Sequence, residues 1–153
     1  MSARWAPDVT VAVLVERSGT FLMVEERIEG RLCLNQPAGH LEAGESLVEA
    51  ATREVFEESR WRVEVTHLVG VHSWTHPDSG RSWLRFVFCA VPLEEQPGPL
   101  DPPVVAAAWL TRAEINEASE RHRSPLVAAA LEAYDTGLRV PLEALQSLLG
   151  QAR

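Results

Sequence analysis

The sequence predicts a single α/β domain, on three observations. Its 153 residues suit one domain of ordinary size with a core of its own. Apolar runs of strand length recur along the chain, several of them rich in β-branched residues. A sharply capped helical stretch interrupts these runs just after residue 45. The composition, 46% hydrophobic and 24% charged, is globular and excludes a disordered tail or a coiled coil.

Residues 8–16 (DVTVAVLVE) read as a buried strand. Arg17-Ser18-Gly19 is turn material, and 20–25 (TFLMVE) is a second strand, so the two predict a hairpin. A short strand follows over 32–34. Residues 36–45 (QPAGHLEAGE) contain one proline and two glycines and read as loop. The next helix is marked by a capping box, Ser46-x-x-Glu49, with Leu47, Val48, Ala51 and Val55 forming an apolar arc; it should end near Ser59. Strands are expected over 61–72, 82–91 and 104–110. Residues 92–103 (PLEEQPGPLDPP) hold five prolines and a glycine and predict a long surface loop. Short helices are expected over 112–118, 126–134 and 142–149, the second opened by Ser124 as N-cap and Pro125 at the first helical position. No internal repeat or domain boundary is visible, so the domain should span 1–153.

Charge narrows the partners. The net charge of −8, from 22 acidic against 14 basic residues, argues against a nucleic acid polymer, whose affinity comes mainly from Lys and Arg. A small anionic ligand escorted by a metal cation stays open. Cys33 and Cys89 lie in apolar runs, which suits reduced core thiols; without clustered His they suggest neither zinc binding nor thiol catalysis. No apolar run reaches 18 residues and 1–7 lacks a signal-peptide core, so a cytoplasmic protein with no membrane partner is expected. Both a monomer and a homodimer are compatible with the sequence.

The predicted helix carries the most informative feature. Glu54, Glu57 and Glu58 stand at i, i+3 and i+4 and share one face within about 100° of arc. Each like-charge pair at that spacing costs roughly 0.2–0.5 kcal/mol. They also occupy the last turns, where the helix dipole disfavours negative charge. A solvated acidic face is the plain reading. A hard divalent cation, Mg²⁺ or alternatively Mn²⁺, would turn the repulsion into binding and leave coordination positions for a phosphate substrate.

The surrounding residues favour the second reading. Gly39, five residues, Glu45, seven residues, Arg53-Glu54-Val55, one residue and Glu57-Glu58 resemble the box of the Nudix hydrolases, which here runs over 39–61. The resemblance implies a mixed β-sheet sandwiched between helices (α/β/α) with a loop–helix–loop catalytic motif. It implies that Glu57 and Glu58 are the main metal ligands and that Glu54 ligates metal or orients the attacking water. It also implies a backbone carbonyl ligand from Ala38 or Gly39, with Arg53 holding the glutamates and Glu45 as its structural acidic partner. The reaction implied is hydrolysis at phosphorus of a diphosphate linked to another moiety. One position departs: the box usually ends in Gly, and here Arg60 stands there, so the helix cap is in question.

The segments 35–42, 47–51, 84–86 and 123–127 further resemble NudJ-type phosphatases. That likeness implies hydrolysis of nucleoside di- and triphosphates and thiamine-type pyrophosphates with orthophosphate release. Alternatives are a nucleoside diphosphate-sugar, a dinucleoside polyphosphate or an oxidised nucleotide as substrate, or a nucleotide-sensing module that does not cleave. Outside the box, Arg85 in an apolar strand calls for a partner, either a substrate phosphate or a structural ion pair or strand edge. Trp74, and less so Trp83, offers a face for a ring to stack on, against a plain core role. His40, His72 and His76 read as rim or surface residues. Asp101 is a weak candidate for a base outside the box, Pro103 stands roughly where a Glu is often found, and Glu94 and Glu95 read as solvated loop charges.

Overall fold

Alternation along the first strand builds both faces of the sheet at once. In the computed structural model, which describes residues 2–148, β1 (Asp8–Arg17) sends Val11, Val13 and Val15 into one core and Leu14 into another. Further strands follow: β2 (Thr20–Ile28), β3 (Arg31–Asn35), β4 (Ala38–His40), β5 (Trp61–Thr75), β6 (Ser82–Glu95), β7 (Val104–Thr111) and β8 (Val140–Pro141). The helices are α1 (Leu47–Ser59), α2 (Arg112–Glu117) and α3 (Leu126–Asp135). The main path of the sheet is β3-β2-β1-β6-β5-β8, with β4 also on β1 and β7 also on β2. The β1–β6 pair is parallel, from Asp8 opposite Trp83 to Val15 opposite Ala90, and the remaining named pairs are antiparallel. The sheet is therefore mixed. Ala50, Ala51 and Val55 of α1 cover one face, while Ile115 of α2 and Val127, Ala130 and Leu131 of α3 cover the other. This is the expected α/β/α sandwich.

The start of α1 is chemically over-determined. The Ser46 hydroxyl accepts from the Glu49 backbone N–H at 3.1 Å, and the Glu49 carboxylate accepts from the Ser46 N–H at 3.3 Å. At the other end Arg60 adopts φ 65°, ψ 14°, the left-handed conformation that costs a non-glycine residue about 1–2 kcal/mol. The chain thus keeps a left-handed helix cap without glycine. A second capping box, Thr111 with Glu114, opens α2.

Four expectations need correction. Residues 36–45 are not all loop, because Ala38–His40 forms β4, whose backbone pairs with β1 from Thr10 opposite His40 to Ala12 opposite Ala38. Two glycines and a proline nearby mask a strand whose stability comes from its neighbour. The proline-rich loop begins later than expected: β6 runs on through Pro92 to Glu95, and Pro92 faces Val63 beside a break in register. Such an irregularity is where a residue lacking an N–H fits a ladder. Glu94 and Glu95 are exposed as expected, but on a strand. Over 142–149 only the 3₁₀ turn Leu142–Ala144 forms before Leu145 turns extended, and Leu149 lies outside the described residues. Leu142 and Leu145 pack on the α1 core, so tertiary anchoring overrides helical periodicity there. Pro125 precedes α3 by one residue, yet the Ser124 hydroxyl still accepts from the Leu126 N–H at 3.2 Å.

Among the described residues no helix is long and apolar enough to cross a membrane. Cys33 and Cys89 are free thiols, Cys89 buried and Cys33 partly so.

Because the capping box fixes where α1 begins, Ser46→Ala should lower the stability of the fold by about 1 kcal/mol. A denaturant titration that gives the variant the same midpoint as the parent would contradict this.

Candidate active site

The buried stripe of α1 is not purely apolar. Ala50, Ala51, Glu54, Val55, Glu58 and Ser59 are its buried residues, so two of the three glutamates follow the helical repeat into the protein while Glu57 stays partly exposed. What receives them is β4. The Ala38 N–H donates to Glu58 Oε1 at 2.7 Å. The Glu54 carboxyl lies directly over the Cα of Gly39, in the space a Cβ would fill. The glycine is required by this close approach, since its φ is not in the left-handed region.

Arg53 gathers the acids around it. Its Nε and Nη2 donate to the two oxygens of Glu45 at 2.9 and 2.6 Å, a bidentate pair. Its Nη1 donates to Glu54 at 2.8 Å and to Glu57 at 3.2 Å, and Nη2 also reaches the His40 carbonyl at 3.0 Å. These bonds hold the guanidinium well above its ordinary pKa, Glu45 foremost, and Arg53 in turn holds the Glu45 carboxyl low. Burial raises Glu54 despite Arg53. Glu58 makes no ion pair among the described residues, and the nearest guanidinium acting on it is that of Arg85 on the same cleft. Burial pushes its carboxyl up to about 9, with the carboxylates of Glu26, Glu54 and Asp101 adding to the rise against the Ala38 N–H.

Glu58 and Gly39 open onto a cleft of about 650 Å³. Arg85 sits on its wall, 3% exposed, on β6 between Thr10 of β1 and His72 of β5. An interior position removes the strand-edge reading of this residue. Its Nη2 donates to Asn35 at 3.1 Å and to Gln36 at 3.5 Å, and burial lowers its pKa to about 10. Trp74 and Trp83 also face the cleft; as a cross-strand pair they stack with centroids 5.1 Å apart at 20°. Neither is fully buried, which sets aside a plain core role.

The remaining candidates are spread around the site, and His40 and His76 also line the cleft. His40 is exposed with Nε2 3.7 Å from Asp8, and His76 accepts backbone N–H bonds from Asp78 and Ser79 in the β5–β6 turn. His72 lies on β5 opposite Arg85, and burial holds its pKa below the usual value. Asp101 is exposed and tied to α1 through its backbone, its N–H donating to the Glu57 carbonyl at 2.9 Å. Pro103 borders the cleft.

The sequence reading missed Glu26, Asn35, Gln36 and Arg123. Glu26 is buried on the cleft wall, accepts from Asn35 at 3.0 Å and lies 3.4 Å from Arg123 Nε. The argument that singles out Arg85, a charge within an apolar strand, applies equally to Glu26, but the strand expected over 20–25 stops one residue short of it, whereas β2 runs to Ile28. Asn35 links Glu26 to Arg85. Gln36, fully buried, bonds to the Val127 carbonyl of α3 at 2.9 Å.

The donor set suits a hard divalent cation: carboxylate oxygens alone, one of them on a buried residue that makes no ion pair among the described residues, beside a backbone kept bare by Gly39. Among the described residues no three acidic, His or Cys side chains converge closely enough to surround an ion. Arg53 draws the Glu54 and Glu57 carboxylates to itself, and rotation about their side-chain bonds is what convergence on Glu58 requires.

The fold and this constellation define a phosphoanhydride hydrolase built on a glutamate-bearing loop–helix–loop. The NUDIX domain model matches residues 6–130, and the chain belongs to the Nudix hydrolases, enzymes that act on pyrophosphate bonds. It is 46% identical over 139 residues to "Phosphatase NudJ" of Escherichia coli (strain K12), covering 90% of this chain and 89% of that protein. A NUDIX hydrolase from Nitrosomonas europaea superposes with a TM-score of 0.92 at 41% identity, covering 95% of this chain and all of the other. A bifunctional NMN adenylyltransferase/ADP ribose pyrophosphatase from Francisella tularensis, solved with AMP and a Mn ion, shares the fold (TM-score 0.64, 23% identity, 86% of this chain and 43% of that one).

Two outcomes follow from the geometry. Between pH 4.5 and about 9 the native Glu58 binds a proton that the unfolded chain has released, so Glu58 makes the metal-free fold less stable as pH rises. His72, held below 6.5, contributes the opposite slope at lower pH, so the comparison with Glu58→Gln isolates the carboxyl. Metal-free Glu58→Gln should be more stable than the parent at pH 8 and lose that advantage toward pH 5. Parallel stability–pH curves would refute it. Gly39→Ala should fold, because the Glu54 carboxyl it meets is the flexible end of a side chain, yet lose about tenfold or more in turnover as that carboxyl is displaced. Unchanged kcat in this variant would show that the placement of Glu54 is immaterial.

Proposed function

We propose that this chain is a Mg²⁺-dependent phosphatase of nucleoside di- and triphosphates and thiamine-type pyrophosphates, releasing orthophosphate. The observation that carries the reading is the cleft itself. Its wall carries a glutamate of the helix, a buried guanidinium on an interior strand and a stacked tryptophan pair. The similarity to a protein named a phosphatase supports orthophosphate as product.

Glu57 and Glu58 would hold the cation with Glu54 and a backbone carbonyl at Ala38 or Gly39; Mn²⁺ suits the same oxygen donors. When bound, the ion supplies charge neutralisation at the reacting phosphate and acidifies a water. The chain's own residues do the rest. Arg53 keeps Glu54 and Glu57 on one side of the helix and orients them, braced by Glu45. Arg85, whose guanidinium is only partly used by Asn35 and Gln36, receives a phosphate oxygen from the cleft side. Arg123, tethered loosely to Glu26 at the rim, offers a second cation to the same anion. Trp74 and Trp83 stack with each other, so a substrate ring meets the face of the pair and no slot between them. Such a face reads no hydrogen-bond edge and favours broad acceptance of ring-bearing diphosphates.

A release screen tests the proposal: orthophosphate and pyrophosphate are measured from nucleoside di- and triphosphates, a thiamine pyrophosphate, a diphosphate-sugar and a dinucleoside polyphosphate, with and without Mg²⁺ or Mn²⁺. Several substrates should yield orthophosphate only with metal. A single substrate preferred by more than about 10⁴-fold, or pyrophosphate alone from triphosphates, would overturn the substrate reading. Glu57→Gln and Glu58→Gln should each lose about 10²-fold in turnover while remaining folded, and Trp74→Ala should weaken binding of the accepted substrates by similar factors. Near-parental turnover of either glutamine variant at saturating Mg²⁺ would remove the metal-site assignment.

A further inference from the structure

The residue at the end of α1 is held in a conformation that its side chain makes worthwhile. Arg60 is one of three non-glycine residues with positive φ among those described, and the other two, Ser18 and Glu29, lie in the turns between β1 and β2 and between β2 and β3. Arg60 instead joins α1 to β5, and its side chain does not extend into solvent. The guanidinium lies over the Phe56 ring, 4.1 Å from the centroid, and Nη2 donates to the Pro97 carbonyl at 3.1 Å. It packs on the Cα of Gly98 so closely that a Cβ there would collide with it. Its backbone carbonyl accepts from the Gln96 N–H at 2.8 Å. The Arg60 Nε is buried with no hydrogen-bond partner among the described residues, so polar satisfaction alone does not explain the placement.

What Arg60 grips is the segment 96–103, which leaves β6 and returns to β7. Further along, the same segment reaches the functional helix again: the Asp101 N–H caps the Glu57 carbonyl at 2.9 Å, and the Pro103 carbonyl accepts from the Arg27 N–H at 3.0 Å. Pro103 borders the cleft that contains Glu58. The segment is therefore pinned at its start by Arg60 and at its end by Glu57 and Arg27, and it sets one boundary of the site. The first pin stacks on Phe56, the residue immediately before Glu57 and Glu58.

We infer that Arg60 is a positioning residue for the hydrolytic reaction, its guanidinium clamping the 96–103 segment between Phe56 and Gly98 so that this segment stays in register with Glu57 and Glu58. The clamp accounts for a non-glycine residue at a left-handed position: the backbone pays in conformation what the side chain returns in order. A purely structural cap would make glycine the better residue in every respect, since glycine adopts this φ without strain. A clamp separates two quantities. Removing the side chain relieves the backbone and leaves global stability level or higher, yet it frees the segment and slows the enzyme.

The test compares the parent with Arg60→Gly and Phe56→Leu, the second leaving the Arg60 backbone strain in place while removing the ring beneath the guanidinium. Native-state amide exchange is read at Gln96 and Asp101, whose N–H groups bond to α1 and its cap, against core amides of β1. Kinetics are read with Mg²⁺ and a nucleoside diphosphate that the parent hydrolyses. In both variants exchange at the two amides should speed at least tenfold with β1 protection unchanged, and kcat should fall about fivefold or more with KM within twofold. In Arg60→Gly this should occur with a denaturant midpoint equal to or above the parent's. Unchanged exchange at Gln96 and Asp101 in Arg60→Gly would overturn the clamp, and this readout stands whether or not the substrate reading above is right. Freed exchange with kcat within twofold of the parent would overturn the link to the reaction. A fall in activity matched by a fall in midpoint and in β1 protection would reduce Arg60 to a structural cap and overturn the inference.

Discussion

The arrangement around α1 depends on one guanidinium. Glu45, Glu54 and Glu57 would repel one another across a half-buried helix flank, and Arg53 sits among all three with four hydrogen bonds to their oxygens. The bidentate pair with Glu45 fixes the fork, and the remaining nitrogen is then aimed at the helix carboxylates of Glu54 and Glu57. Lysine could supply the charge but not the planar fork that meets both oxygens of Glu45 while a further nitrogen reaches Glu54 and Glu57. The bond from Arg53 to the His40 carbonyl extends the same restraint to β4, so one side chain ties the loop before the helix to the helix itself.

Glu58 is the exception among the helix carboxylates. It lies one residue beyond Glu57, turned away from Arg53 and buried, with a single backbone donor and other carboxylates nearby. A buried carboxyl without a counter-charge either takes a proton or takes a cation. Among the described residues this one makes no ion pair while its neighbours do, and under the proposed function that asymmetry would give a divalent ion something to gain on binding. Gly39 contributes by absence: without a Cβ, the strand approaches the Glu54 carboxyl closely enough for backbone and carboxylate oxygens to share one small region.

The opposite wall of the cleft reverses the charge. Arg85 is buried in an interior strand with Glu26 and Asn35 as its supports, and Arg123 joins the group from the segment before α3. Acid on the helix side and guanidinium on the sheet side suit a diphosphate whose charge is shared between a cation and protein donors. The tryptophan pair at the far end of β5 and β6 leaves room for a ring and imposes no hydrogen-bond pattern on it.

Local chemistry determined much of this by sequence alone. The capping box at Ser46, the spacing of Glu54, Glu57 and Glu58, the Gly39-to-Glu58 pattern and the lone charge of Arg85 are all decided within a few residues of chain, where helical periodicity and hydrogen-bonding partners are themselves local. The left-handed turn at Arg60 was open in sequence, because its strain is compensated by Phe56, Pro97 and Gly98, two of them far along the chain. β4 was invisible for the same reason, its order coming from β1 and not from its own residues. Asn35 and Arg123 carry no local mark of function, and Glu26 only that of a charge in an apolar strand; the folding of β2, β3 and the segment before α3 onto one cleft is what brings the three together. Tertiary structure also separated three similar glutamates, leaving Glu57 partly in solvent and Glu58 buried outside the Arg53 pairing, because burial depends on which neighbour packs over each side chain and not on the spacing between them.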